Sequence, residues 1–209
     1  MGRRKNQWTQ ATSDRYLKEG RGQGEGKNYK PWLTVRDVSS RGRSSREVGW
    51  KTGRDHHLLS DQERRLFYLF EWSDDVVDIR EQFPMLNLDL AMEIANEMGW
   101  KYPKNSESDV SYVLTTDFML AVKRDGKLMQ VARTVKTTEE LDKSSIAARL
   151  EIERRYYRAE GIDWSVVTER GIPKLLAENV EWTHSAYWLE ATSEMDVDEE
   201  LRGCLRSPC

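Results

Sequence analysis

The fold turns on residues 112–136, YVLTTDFMLAVKRDGKLMQVARTVK. Two apolar, β-prone runs, at about 112–122 and 128–136, flank KRDGK, and Asp125-Gly126 between such runs is a strong signal for a tight hairpin. The two strands should therefore pair antiparallel. Asp117 sits in the middle of the first run, where an ionised carboxylate is costly unless it is paired, metal-bound or at a sheet edge. Lys136 ends the second strand, and Thr134 shares its face because strand side chains alternate with a period of two.

On the N-terminal side, Val76–Phe83 (VVDIREQF) is a β-branched stretch stopped by Pro84 and reads as a strand. Before it, Ser60 followed by Glu63 gives a capping-box pattern. Leu66, Phe67 and Phe70 then give one apolar helical face, so a helix is predicted over about 61–72. Leu86–Lys101 has helical character. On the C-terminal side a long helix is predicted over about 141–159, its buried face supplied by Ile146, Leu150, Ile152, Tyr156 and Tyr157, with Gly161 ending it. A strand at 163–167 and a short helix from Pro173 to Trp182 follow. This order is an α/β layer sandwich, a mixed sheet flanked by helices. It matches the minimal core of restriction-endonuclease-like nucleases, an analogy of fold that needs a site before it implies an activity.

Composition bounds the rest. The chain has 209 residues, 38% hydrophobic and 33% charged, which describes a globular protein with a very polar surface. The longest apolar runs are far shorter than the ~20 residues a membrane span needs. No secretory signal follows the opening MGRRKNQ, and Cys204 and Cys209 lack metal-ligand spacing, so a cytoplasmic, disulfide-free protein is expected. The net charge of −3 conceals an asymmetry: residues 1–56 hold 14 Lys+Arg against 6 Asp+Glu, a charge of +8, and the remainder carries −11. A basic leading segment with Tyr29, Trp32 and Trp50 among its arginines suggests a polyanion partner, a solvated basic arm being the alternative. Gly20, Gly22, Gly24 and Gly26 alternate, but neither the Walker nor the dinucleotide spacing is met, so a flexible loop is expected. Residues 36–54 read as an extended or hairpin arm.

Phosphodiester cleavage uses hard divalent cations held by carboxylate oxygens. An Asp on one strand with Lys136 ending its neighbour is a nuclease arrangement, and a salt-bridged sheet pair is the structural alternative. Glu63 has a structural use as the capping partner of Ser60. By helical spacing Glu153 reads as a member of an exposed Glu/Arg ladder. His56 and His57 diverge, as adjacent residues do, and suit a loop near DNA better than a metal site.

The stretches YLKEGRGQGEGKNYKPWLTV (16–35), RGRSS (41–45), KTGRDHHLLSDQE (51–63), DIREQFP (78–84), TTDF (115–118), VARTVK (131–136) and LEIERRYY (150–157) resemble the TnsA family of transposon endonucleases. The resemblance runs from about residue 16 to 185. It implies a nuclease that cuts transposon 5′ ends while a TnsB-type transposase processes the 3′ ends, under a TnsC-type ATPase regulator. It implies catalytic Glu63, Asp117 and Lys136, and Mg²⁺ (two ions, with Mn²⁺ as substitute) held by Glu63, Asp117 and Thr134. Glu153 would lie beside that site. Such nucleases commonly carry Gln or Glu where Thr134 stands, so Thr134 is expected to be a shorter neutral oxygen ligand. The expected organisation is a basic arm at 1–56, a catalytic core at 57–170, and a short helical segment with an acidic tail at 171–209. DNA contacts are expected from Arg36, Arg41, Arg43, Arg46, Lys51, Arg54, His56 and His57. The acidic run between Glu190 and Glu200, next to Trp182, Tyr187 and Trp188, is a candidate docking segment. The competing reading is a non-catalytic assembly module that binds DNA and partners.

Overall fold

The computed structural model describes residues 8–38 and 43–186. Helix α1 (Gln10–Lys18) is followed by a hairpin of β1 (Ser45–Val48) and β2 (Asp55–Leu58). Then come α2 (Asp61–Trp72), β3 (Val76–Pro84), α3 (Leu88–Glu97), β4 (Thr115–Arg124) and β5 (Lys127–Val135). A one-turn α4 (Thr138–Leu141), the long α5 (Ser144–Ala159), β6 (Asp163–Val167) and α6 (Lys174–Ala186) complete the order. The main sheet runs β3-β4-β5-β6, with the first two pairings antiparallel and β5–β6 parallel. The central hairpin turns at Asp125 and Gly126, both at positive φ as its tight turn requires.

The alternation along β4 and β5 distributes two cores. Phe118, Leu120, Val122, Val131 and Val135 pack against Leu66, Phe67 and Tyr68 of α2 and Val180 of α6. Met119 and Ala132 point the other way, to Ala91, Ile94 and Ala95 of α3 and Ile152, Tyr156 and Tyr157 of α5. The result is a mixed sheet between two helical layers, as the element order implies. At α2 the cap forms as predicted: Ser60 Oγ accepts from the Glu63 backbone N–H at 3.1 Å, and α2 spans Asp61–Trp72.

The N-terminal segment differs from the expected flexible arm. Trp32 and Tyr29 are buried at 0% and 3% exposure, and Trp8, Tyr16, Trp32 and Val113 form a third apolar cluster. The glycine-rich loop lies along the outer edge of β3, which among the described residues has no strand partner there. Trp32 N–H donates to the Gln82 carbonyl at 3.2 Å, and Tyr29 O–H donates to the Glu81 carbonyl at 3.0 Å. Gly26 N–H reaches Asp78 Oδ1 at 3.2 Å. The glycines serve close approach rather than flexibility. Gly22 has φ +75°, and a Cβ there would lie 2.3 Å from Pro84 Cγ. At Gly24, φ +87°, a Cβ would lie 2.5 Å from the Asn28 carbonyl oxygen. An edge strand left bare would template pairing with another chain, and this loop blocks it.

The boundary expected at residues 56/57 falls inside β2, and a buried charge network spans it. Glu81 is wholly buried and accepts from Arg54 Nη1 at 2.8 Å, Arg54 Nη2 at 2.6 Å and the His57 backbone N–H at 3.0 Å, while His56 Nδ1 lies 2.8 Å from Oε2. Burial by itself would raise the proton affinity of Glu81, but His56 and Arg54 hold it below the usual carboxylate range. The β1–β2 hairpin is thus anchored to the main sheet. At the other end, α6 packs on α2 through Arg64 and Glu181, and His184 stacks on Trp50 with ring centroids 4.4 Å apart.

Candidate active site

Asp117 lies near the start of β4, and the register that pairs Phe118 with Arg133 brings it opposite Thr134. Its Oδ2 accepts from the Val135 backbone N–H at 2.7 Å and from Lys136 Nζ at 3.1 Å. Lys136 Nζ also donates to the Val135 carbonyl at 2.6 Å. The two groups expected from the hairpin therefore form an ion pair. Burial by itself would lower the proton affinity of Lys136, but the Asp117 charge and hydrogen bond raise it above the ordinary lysine value. Lys136 is an ammonium at neutral pH. Both residues line a cleft of about 200 Å³ with Gln82, Thr115, Arg149 and Glu153.

Glu63, in the first turn of α2, lies behind the cleft wall, bonded to Gln82, which lines it. Its carboxylate accepts from Ser60 Oγ at 2.9 Å and the Leu59 backbone N–H at 2.9 Å, so it has both the capping use and a place beside the site. Gln82 Nε2 donates to the same carboxylate at 3.3 Å. Burial, and next the neighbouring Asp117 charge, raise its pKa from 4.5 to about 7. Hydrogen bonds from Leu59 and Ser60 and the Lys136 charge offset only part of this rise.

Glu153 corrects the exposed-ladder expectation: it is 6% exposed and faces the cleft from α5. Its Oε1 accepts from the Thr116 and Thr134 hydroxyls, and burial raises its proton affinity. The ladder on α5 belongs instead to Glu151, which pairs with Arg154 and Arg155. Thr134, expected as a neutral oxygen ligand, lines the cleft and is tied into the protein. Its hydroxyl is 2.9 Å from Thr116 Oγ1, donates to Glu153 and accepts from Trp164 Nε1 at 3.2 Å.

The DNA-contact candidates divide. Arg36, Arg43 and Arg46 are exposed. Arg54 and His56 turn inward: both bond buried Glu81, and His56 Nε2 also meets Thr52 Oγ1 at 2.7 Å. Lys51 Nζ donates to the Ser73 carbonyl at the end of α2 at 2.9 Å, and His57 Nδ1 accepts from the Val35 N–H at 3.4 Å, so each has an inward partner. Tyr29, Trp32 and Trp50 are packed within the fold rather than presented for stacking. Arg41, the acidic run after Glu190, Cys204 and Cys209 lie outside the described residues. Sequence reading missed Gln82, Thr116 and Arg149. Gln82 has a positive φ, +48°, inside a strand, and no residue pattern announces that.

A mixed four-stranded sheet between helices, with Asp117 on the second strand and Lys136 directly after the third, is the layout of a restriction-endonuclease-like fold. The family described as "TnsA-like endonuclease N terminal" matches residues 73–169. The Transposon Tn7 transposition protein TnsA of Escherichia coli is 42% identical over 195 residues, covering 93% of this chain and 70% of that protein. The chain belongs to the TnsA family of transposition endonucleases. Among the described residues no helix is long and apolar enough to cross a membrane.

Proposed function

We propose that this protein is the Mg²⁺-dependent nuclease that cuts the 5′ ends of a transposon, acting with a TnsB-type transposase and a TnsC-type ATPase. The observation that carries this reading is the Asp117–Lys136 pair at 3.1 Å in a cleft whose wall residue Gln82 bonds Glu63, in a chain of this family. The donor chemistry suits a hard cation, because Asp117 and Glu63 offer carboxylate oxygens. Mg²⁺ is commonly held by one or two carboxylates together with water and phosphate, so Asp117 and Glu63 suffice. The ion would supply Lewis-acid charge stabilisation and a more acidic bound water.

The protein's own groups do the rest. Lys136, kept protonated by Asp117, offsets charge on a phosphate and donates a hydrogen bond to an oxygen placed near Asp117. Arg149 adds a second cation to the cleft wall. The Val135 N–H fixes Asp117 Oδ2, so this carboxylate is held in place before any ligand arrives. Thr116 and Thr134 hold Glu153 at the rear of the site. Exposed Arg36, Arg43 and Arg46 are left to contact DNA phosphates, a sequence-independent, salt-sensitive contribution.

The test is a nicking assay on transposon-end DNA, with the other transposition proteins present and Mg²⁺ titrated from zero. The expected result is 5′-strand cutting that appears only with the divalent ion and is supported by Mn²⁺. A protein that joins the complex but cuts at no concentration of either ion is the non-catalytic module instead.

A further inference from the structure

The backbone of β3 contains a conformation that its pairing does not require. Glu81 faces Phe118 and Phe83 faces Thr116, so the register passes through Gln82 without an inserted residue and sets it opposite Asp117. Yet Gln82 has φ +48°. Left-handed backbone is uncommon outside glycine and is disfavoured for side chains with a Cβ. The strand turns over here: Ile79 packs in the core under α2, whereas Phe83, of the same parity, packs with the core under α3 and α5.

The turn delivers the Gln82 side chain to the cleft, where it is 2% exposed. Nε2 donates to Glu63 Oε2 at 3.3 Å, Oε1 accepts from Thr115 Oγ1 at 3.1 Å, and the main-chain carbonyl accepts from Trp32 N–H. One residue thus ties the α2 acid to the start of β4, two positions before Asp117, and is itself fastened by the N-terminal segment. Strained backbone persists where surrounding contacts over-determine it, and such sites cluster where geometry serves function.

We propose that Gln82 is a positioning residue: its left-handed backbone and amide hold the Glu63 carboxylate against the Asp117 side of the cleft, so that the two acids are set to share a divalent cation. This rests on the nuclease reading above for the cation, but the hydrogen-bond coupling does not depend on it. Without the amide donor, the Glu63 side chain keeps its cap to Ser60 and Leu59 but loses its tie across the cleft.

Two variants separate the role from packing. Gln82→Gly accepts the left-handed backbone and removes the amide. Gln82→Met keeps the length but has neither the donor nor a charge. In the metal-free full-length protein, urea unfolding of Gln82→Gly, Glu63→Ala and the double variant should be non-additive, because each single change removes the same hydrogen bond. Calorimetric titration with Mn²⁺ should show about tenfold weaker binding for both position-82 variants, the scale of one polar contact to a charged group. Half-maximal cutting should move to correspondingly higher Mg²⁺, with the saturated rate of Gln82→Gly recovering. Additive unfolding energies, or wild-type Mn²⁺ affinity in Gln82→Gly, would overturn the proposal. Wild-type protein that binds no Mn²⁺ refutes the nuclease reading instead, and the unfolding cycle still decides the role of Gln82.

Discussion

Replacing Glu63 with Gln should change how stability depends on pH, with a sign the cleft dictates. Burial and the Asp117 charge raise the Glu63 pKa from 4.5 to about 7. The native state therefore favours the protonated carboxyl more than the unfolded chain does. That contribution is fully present below pH 4.5 and is lost as pH rises to about 7. At 1.36 kcal/mol per pH unit, the loss by pH 8 is about 3 kcal/mol. The amide of the Glu63→Gln variant would remain neutral and can still serve Ser60 and Leu59, so the substitution should remove this loss. Urea unfolding at pH 4.5 and pH 8, with a chelator present, should show the variant close to wild type at the lower pH. At pH 8 it should be more stable by about 1–3 kcal/mol. Saturating Mg²⁺ at pH 8 should then stabilise wild type more than the variant, since ligand binding to the native state adds stability. A stability difference that is the same at both pH values would refute the shared-charge account of Glu63.

Other substitutions follow from the same contacts. Asp117→Ala should abolish cutting and also lower stability by about 1–3 kcal/mol, because the buried Val135 N–H loses its acceptor; Asp117→Asn should abolish cutting with a smaller loss. Thr134→Ala should slow cutting at saturating as well as limiting Mg²⁺, since it frees Glu153 and Trp164 rather than removing a ligand, with thermal melting as the structural control. Arg54→Ala should destabilise the protein by about 3–5 kcal/mol, seen in denaturant unfolding, as breaking one side of a buried ion pair does. Charge removal at Arg36, Arg43 and Arg46 should instead leave unfolding unchanged and reduce the salt dependence of DNA binding, by roughly 0.9 in log–log slope per lost phosphate contact.

The main sheet was legible because its signals are local. Asp125-Gly126 fixes a hairpin, β-branched runs fix strands, and Ser60 with Glu63 fixes a helix start. Asp117 was legible for the opposite reason, as an acid in an apolar strand that needs a partner. The N-terminal segment misled because glycine, serine and arginine are also the composition of a flexible arm. Here glycine allows the chain to lie against Pro84 and Asn28, and Arg54 is matched by Glu81, 27 positions away. Glu153 misled because the neighbouring Glu151 does pair with arginines at helical spacing, while the hydroxyls that receive Glu153 come from two strands of the sheet. Gln82 gave no signal, since a left-handed residue in a strand is a property of the assembled sheet.

The central claim is that Asp117 and Lys136 form the cutting centre, and strand-resolved cleavage tests it most directly. Transposon-end DNA labelled on the 5′-cut strand would be incubated with Mg²⁺, the partner transposition proteins, and wild type, Asp117→Asn or Lys136→Met, each first checked by thermal melting. The account predicts cutting by wild type and a loss of at least about a thousandfold for either folded variant, about 4 kcal/mol of barrier. Cutting by folded Asp117→Asn at the wild-type rate would contradict it.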